Sequence, residues 1–119
     1  MWFKVDDLLA FHGKTVQAGN AAMGLWVRAG SWCGANLTDG HVPDSVVSKL
    51  GTRAQANALV TAGLWHRLPD GYLFHDWNDY QPTKADVEER RQKRAKAGRR
   101  GAQARWDGEA NIVNIAERR

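Results

Sequence analysis

Apolar residues recur at helical spacing through the first third of the chain and predict two helices. The first begins at Asp6 or Asp7, either of which is a good N-cap, and ends at Gly19. The second covers residues 21–35 and is apolar nearly all round, with Arg28 as its one charge. Such a helix is typical of the centre of a small domain. The predicted apolar face of the first helix consists of Leu8, Leu9, Phe11 and Val16.

Residues 43–63 carry the pattern of two short helices joined by a tight turn. Pro43 suits the first turn of a helix, Gly51 ends that helix, and Thr52 is a good N-cap for the next one. On this second short helix the residues expected to face inward are Ala54, Ala58, Leu59 and Ala62. The polar residues left for solvent or a ligand are Arg53, Gln55, Asn57 and Thr61.

A β-hairpin follows these helices. Residues 64–68 and 72–77 are rich in aromatic residues with period-two alternation, and they flank a turn at Pro69-Asp70-Gly71. The dipeptide His41-Val42 predicts a short strand that pairs with the hairpin. A helix–turn–helix followed by a hairpin is the layout of a winged helix. We therefore predict a winged-helix domain over residues 1–83, mainly α with a small antiparallel β-hairpin.

The C-terminal third differs in charge. Residues 84–106 contain nine Lys and Arg against three Asp and Glu, whereas residues 1–83 contain six against seven. The positive excess of the chain, whose net charge is +4, thus lies in one segment. Its helix-forming residues predict a basic, partly helical arm, although Gly98 and Gly101 weaken it. Residues 107–119 are predicted to be a tail. Its small apolar patch consists of Ile112, Val113 and Ile115.

The cysteine, histidine and aspartate residues do not have the spacing of a catalytic or metal-binding site. Cys33 is the only cysteine, so no internal disulfide can form, and its apolar surroundings predict a packed thiol. His66 and His75 are placed to face each other across the hairpin, as a solvated or hydrogen-bonded pair rather than a metal site. Asp76 and Asp79 are expected to be caps or solvated charges. We predict no enzyme, no cofactor and no metal.

The chain begins without a signal peptide pattern, and no apolar run approaches the roughly 18–20 residues of a membrane span. These features predict a cytoplasmic protein with no membrane partner.

Charge and residue type favour double-stranded DNA as the partner. The second helix of a helix–turn–helix enters the major groove, where Arg pairs with guanine and Gln or Asn with adenine. Arg67 on the hairpin is placed for phosphate, and the arm would add salt-sensitive, sequence-independent affinity. The predicted DNA contacts are Thr52, Arg53, Gln55, Asn57, Thr61, Arg67, Arg90, Arg91, Lys93, Arg94, Lys96, Arg99, Arg100 and Arg105.

Other interpretations stay open at this point. The predicted groove helix has a single cation, so the domain is alternatively a protein-docking module that binds a host or phage protein through its Trp-rich surface. The arm is alternatively a solvated tail. Trp106 could stack on a base or pack on the domain, and pairing through terminal helices would make a homodimer.

Four runs carry a resemblance to a known family: WFKVDD at residues 2–7, AMGLWVRAGSW at 22–32, LTDG at 37–40 and FHDWNDYQPT at 74–83. They resemble small proteins of actinobacterial phages that are similar to the N-terminal winged-helix domain of phage replisome organisers and DnaD-like replication initiators. The basic run at residues 97–106 is similar to tails that follow such domains.

The resemblance implies binding to double-stranded DNA near a replication origin and recruitment of replication proteins. The longer members carry a second helical domain, for which this chain has no room. The expected role is therefore that of a DNA-binding accessory or regulator in phage DNA replication.

Overall fold

The computed structural model describes the backbone of residues 1–117 and the side chains of residues 1–106. These residues are mainly helical and include a small antiparallel sheet. The chain divides into two compact units, Met1–Lys84 and Ala85–Arg119, and each is described by itself. The helices are α1 (Gly13–Asn36), α2 (Asp44–Leu50), α3 (Arg53–Thr61), α4 (Trp77–Tyr80) and α5 (Lys84–Glu117), and the strands are β1 (His41–Pro43), β2 (Trp65–Leu68) and β3 (Gly71–Phe74).

Helical structure begins later than the pattern predicts. The carboxylate of Asp6 accepts a hydrogen bond of 2.9 Å from the backbone N–H of Leu8, but no α-helix starts there, so neither Asp6 nor Asp7 is the N-cap of the first helix. The residues that follow form only a 3-10 turn, Leu9–Phe11, and α1 starts at Gly13. His12 caps α1, because its Nδ1 accepts from the backbone N–H two residues on.

The predicted apolar face of the first helix is wrong. The side chains of Leu8, Phe11 and Val16 are 77%, 94% and 65% exposed, and only Leu9 packs against the core. A 3-10 turn has three residues per turn rather than 3.6, so the four side chains do not align on one side as they would on a continuous α-helix.

Gly19 divides α1 as the sequence predicts. Its φ of 83° and ψ of 164° lie outside the helical region, in a conformation that suits glycine. The part of α1 after Gly19 is the central helix of the first unit. Its buried residues are Ala22, Met23, Leu25, Ala29, Gly30 and Cys33. The helix is not buried on every side, because Val27 is 46% exposed.

The sheet has the strand order β1-β3-β2 and is antiparallel throughout. Val42 of β1 and Arg67 of β2 both lie opposite Tyr72 of β3. The short strand before α2 therefore pairs with the hairpin, as the sequence predicts. The hairpin turn falls at Pro69 and Asp70, which β2 and β3 enclose.

Helix α3 faces the core through a slightly different set of residues than predicted. Leu59 and Ala56 are completely buried and Ala62 is nearly so, whereas Ala54 is exposed. Residues three positions before and after Leu59 lie on its side of a helix, and a residue five positions before it does not. The prediction for Ala54 is therefore wrong.

The second strand of the hairpin is shorter than predicted. It ends at Phe74, and Asp76 then adopts a left-handed conformation with φ of 57°. This turn starts the short helix α4 at Trp77, whose side chain is buried in the core. A strand that continued through residue 77 would keep Asp76 extended, and the chain could not turn into α4 there.

The N-terminal residues form a packed arm. The Phe3 ring stacks on Trp77, with centroids 5.8 Å apart, and meets Trp26 edge-on at 5.2 Å. The backbone N–H of Lys4 donates to Oε1 of Gln81 at 3.0 Å, and Nε2 of Gln81 donates to the Lys4 carbonyl at 2.5 Å. Gln81 is buried, and these two bonds pair both the carbonyl oxygen and the amide nitrogen of its side chain.

Cys33 is a packed thiol, as the sequence predicts. Its side chain is completely buried, and its sulfur lies 3.5 Å from the carbonyl oxygen of His41. Burial raises the pKa of the Cys33 thiol to about 11, because a thiolate would lose its solvation there. The thiol is therefore protonated at neutral pH and unreactive.

Helix α5 begins where the backbone N–H of Lys84 donates to a carboxylate oxygen of Asp39 at 2.7 Å. Its backbone continues to Glu117, beyond the predicted helical stretch. The predicted patch at Ile112, Val113 and Ile115 lies outside the residues whose side chains are described. Among the helices in the described part of the chain, none is both long and apolar enough to cross a membrane.

The close approach of β1 and β3 leads to the first prediction. A Cβ added at Gly71 would overlap the backbone carbonyl of Val42 and approach Cα of Pro43 to 2.9 Å. Backbone atoms cannot move aside as a flexible side chain can, so we expect Gly71→Ala to lower the free energy of unfolding by about 2–3 kcal/mol. Urea denaturation followed by circular dichroism measures this change.

Gly24→Ala is the matched control, because no heavy atom lies within 4 Å of a Cβ at that helical position. It should raise stability by about 0.5–1 kcal/mol. Equal stabilities of the Gly71 variant and the original chain would contradict the close packing of β1 on β3.

Candidate nucleic-acid interface

The start of α3 is held by a reciprocal pair of hydrogen bonds. The hydroxyl of Thr52 accepts from the backbone N–H of Gln55 at 3.2 Å, and Oε1 of Gln55 accepts from the backbone N–H of Thr52 at 2.9 Å. This capping box gives hydrogen-bond acceptors to two backbone N–H groups that are otherwise unpaired at the start of a helix. Two of the predicted DNA contacts thus have a structural role, since they hold the first turn of α3.

The remaining predicted contacts on α3 are exposed and lie near one another. Arg53, Asn57 and Thr61 follow each other at intervals of four residues, so they form one row along the helix. Arg53 is the only cation on α3. The structure brings the three side chains together on one surface, where their hydrogen-bonding groups can meet a ligand.

Arg67 is not a free cation. Its Nη1 and Nη2 donate to the two carboxylate oxygens of Asp44 at 2.5 Å and 3.2 Å. Nη1 also lies 3.3 Å from the carbonyl oxygen of Gly71, and the guanidinium carbon sits 4.6 Å from the ring centroid of Tyr72. A phosphate at Arg67 would have to share these donors with Asp44.

This pair changes the acid–base properties of both groups. The hydrogen bonds from Arg67 hold the pKa of the Asp44 carboxyl below its ordinary value, and the hydrogen bond to Asp44 raises the pKa of the Arg67 guanidinium. Asp44 is the first residue of α2. Nothing in the local sequence pairs it with a residue that lies 23 positions further along.

The basic arm is exposed over its described length, apart from the buried Val87. All side chains from residue 88 to residue 106 are exposed, including the eight predicted phosphate contacts on α5. Lys93 forms an ion pair of 3.0 Å with Glu89, and Nε of Arg105 lies 3.4 Å from the carbonyl oxygen of Gly101. Between residues 90 and 105 the chain has eight cations and no acidic residue.

The histidine pair is confirmed and extends to a third residue. Nε2 of His66 lies 2.9 Å from Nδ1 of His75, and Nε2 of His75 lies 2.8 Å from a carboxylate oxygen of Asp76. Because Asp76 accepts from Nε2–H of His75, Nδ1 of a neutral His75 accepts from His66. Asp76 was expected to cap a helix or remain solvated. It precedes α4, but its carboxylate makes no cap hydrogen bond there.

A cavity that the sequence did not predict lies beside the N-terminal arm. It measures about 160 Å³, and Phe3, Trp26 and Trp77 are among the aromatic residues that line it. Polar side chains, including His12 and Asp76, complete the wall. Its residues come from both ends of the first unit, so no local motif marks it. Among the described side chains, no three His, Cys, Asp or Glu are grouped to hold a metal ion.

Comparisons of the chain with protein-family models, with curated proteins and with solved structures find no match.

The Asp44–Arg67 pair gives the second prediction. In an NMR titration, the Asp44 carboxyl should change its charge at a lower pH than an ordinary aspartate, because Arg67 stabilises the carboxylate. A depressed pKa stabilises the fold above the ordinary aspartate pKa, and this contribution is lost as the pH falls through the pKa of the folded state.

Arg67→Gln should return the Asp44 midpoint toward the ordinary value. Arg28→Gln is the control, because Nη1 of Arg28 donates to the carbonyl oxygen of Leu50 at 2.8 Å rather than to Asp44. An Asp44 midpoint that does not move in the Arg67 variant would show that the pair does not form in solution.

Proposed function

We propose that this protein binds double-stranded DNA without catalysing a reaction, and that the basic helix α5 supplies most of the affinity. The observation that carries the proposal is the run of eight exposed cations between residues 90 and 105, which no acidic residue interrupts. Such a run releases many counterions when it meets phosphates, so it binds duplex DNA in a salt-dependent and sequence-independent way.

The first unit supports the proposal through its layout. Helices α2 and α3 and the hairpin β2–β3 follow one another in the order of a winged helix, and β1 pairs with β3. In that architecture α3 is the major-groove helix, and Arg53 and Asn57 are residue types that pair with guanine and adenine. We infer that α3 contributes sequence preference and that Arg67, because Asp44 occupies its donors, contributes little.

The proposed biological role follows from the resemblance of the sequence to phage replication proteins. We propose that the winged-helix unit and the basic arm act together in a DNA-binding accessory or regulator of phage DNA replication. Replication or host proteins are the proposed further partners.

The third prediction tests the arm. Changing Arg90, Arg91, Arg94 and Arg99 together to Gln should weaken binding to a random-sequence duplex and flatten its salt dependence. Each lost phosphate contact should lower the slope of log K against log salt concentration by about 0.9. Fluorescence anisotropy over a range of salt concentrations measures both quantities.

The same four positions changed to Lys form the control, because this variant keeps every charge and should keep the slope. Unaltered binding by the Gln variant would exclude the arm as the source of affinity.

The fourth prediction concerns α3. If Arg53 pairs with a guanine, Arg53→Ala should weaken binding to a duplex selected for tight binding by about 1–3 kcal/mol more than it weakens binding to random duplex. Lys49→Ala removes a cation from the neighbouring helix and should affect both duplexes equally. If Arg53→Ala weakens binding to both duplexes equally, as Lys49→Ala is expected to do, then Arg53 does not recognise a base.

A second candidate function is protein docking, and exposed apolar residues favour it. Trp2 and Phe11 are 87% and 94% exposed, and Leu8 is 77% exposed at the edge of the aromatic cavity. Large apolar side chains in such a position are typical of protein-binding surfaces. A full chain that does not bind random duplex even at low salt would favour docking over DNA binding.

A further inference from the structure

The exposed residues of α5 are ordered around the helix axis. With 3.6 residues per turn, positions i, i+3, i+7, i+10, i+11 and i+14 share one face. From residue 92 onward these positions form what we call the central strip. The strip consists of Gln92, Ala95, Arg99, Ala102, Gln103 and Trp106. It therefore holds two amides, two alanines, an arginine and an aromatic ring, all exposed and on one continuous helix.

Cations border the central strip on both sides. At about 100° of rotation per residue, three of them fall on one side of the strip and three on the other. One flanking row consists of Lys93, Lys96 and Arg100, and the other consists of Arg91, Arg94 and Arg105. Arg90 lies opposite the strip, and Lys93 and Arg94 lie toward the back of the helix, about 130° from the centre of the strip. The helix thus presents a face with one charge, that of Arg99, between two rows of positive charge.

This arrangement matches the major groove of B-form DNA. The groove is about 12 Å wide, an α-helix with its side chains measures about 10–12 Å, and a phosphate backbone runs along each edge. Base edges form the groove floor, where Gln pairs with adenine, Arg pairs with guanine and Ala contacts the methyl group of thymine. These are the residue types of the central strip.

We propose that α5 lies in the major groove of duplex DNA, with the central strip on the base edges and one flanking row on each phosphate backbone. The proposal rests on the proposed function and assigns α5 a position that phosphate contact alone does not require. A helix lying across a single backbone would need cations on one side only. The stretch from Gln92 to Trp106 is about 21 Å long, which corresponds to about six base pairs.

The test uses the full chain carrying Arg53→Ala and Asn57→Ala, so that α3 does not contribute base contacts. Its affinity is measured by anisotropy for two duplexes of identical sequence. The cytosines of one duplex carry glucosylated 5-hydroxymethyl groups, which fill the major groove and leave the phosphates unaltered. We expect binding to the glucosylated duplex to be at least tenfold weaker.

The outcomes separate this proposal from the proposed function. Equal affinity for both duplexes would place α5 on the phosphates outside the major groove and overturn the proposal, while DNA binding itself would stand. A failure to bind either duplex at low salt would overturn both.

A matched pair of variants tests the two roles within α5. Arg99→Lys changes the central strip, and Arg100→Lys changes a flanking row at the adjacent position, and both keep the charge. Because Lys cannot reproduce the bidentate pairing of Arg with guanine, Arg99→Lys should lose about tenfold in preference for a selected duplex over random duplex. Arg100→Lys should keep that preference. The same loss in both variants, or in neither, would contradict the assignment of the strip to the bases.

Discussion

The packing of aromatic rings around Phe74 is the interaction on which the first unit depends. The Phe74 ring lies 5.2 Å from Trp77, 5.5 Å from Trp65, 5.9 Å from Trp26 and 6.3 Å from Phe3, measured between centroids. These rings come from β3, α4, β2, α1 and the N-terminal arm. A single aromatic cluster therefore joins the sheet to the central helix and fixes the arm, and each ring removes a large apolar area from water.

The two units use their charges differently. In the first unit Arg67 is paired with Asp44, and Arg28 donates to the carbonyl oxygen of Leu50, so these cations complete the fold. On α5, by contrast, Lys93 is the one cation with a described ion pair in the stretch from residue 90 to residue 105. Cations that are exposed and surrounded by their own sign repel one another, and an anionic ligand relieves this repulsion. This contrast is why we assign most of the affinity for DNA to α5.

Local signals made much of the fold predictable. Thr52 and Gln55 lie three residues apart as a capping box requires, the hairpin turn contains Asp-Gly, and the apolar spacing after Gly19 has the period of a helix. His66 lies opposite Leu73, two residues before His75, so the two imidazoles meet diagonally across the hairpin. Where prediction failed, at Leu8, Phe11 and Val16, local helix signals were present but the chain formed a 3-10 turn and began α1 later.

The sequence by itself determined the order of elements, the position of the hairpin and the concentration of positive charge in the last third of the chain, because these depend on neighbouring residues and on composition. Only the tertiary structure decided that Arg67 is neutralised by Asp44, that Asp76 extends the histidine pair, and that the N-terminal arm packs on the domain through Phe3. Such contacts join residues far apart in the chain or depend on side-chain orientation. Folding of the chain brings these groups together, and the periodic pattern of the sequence does not predict such contacts.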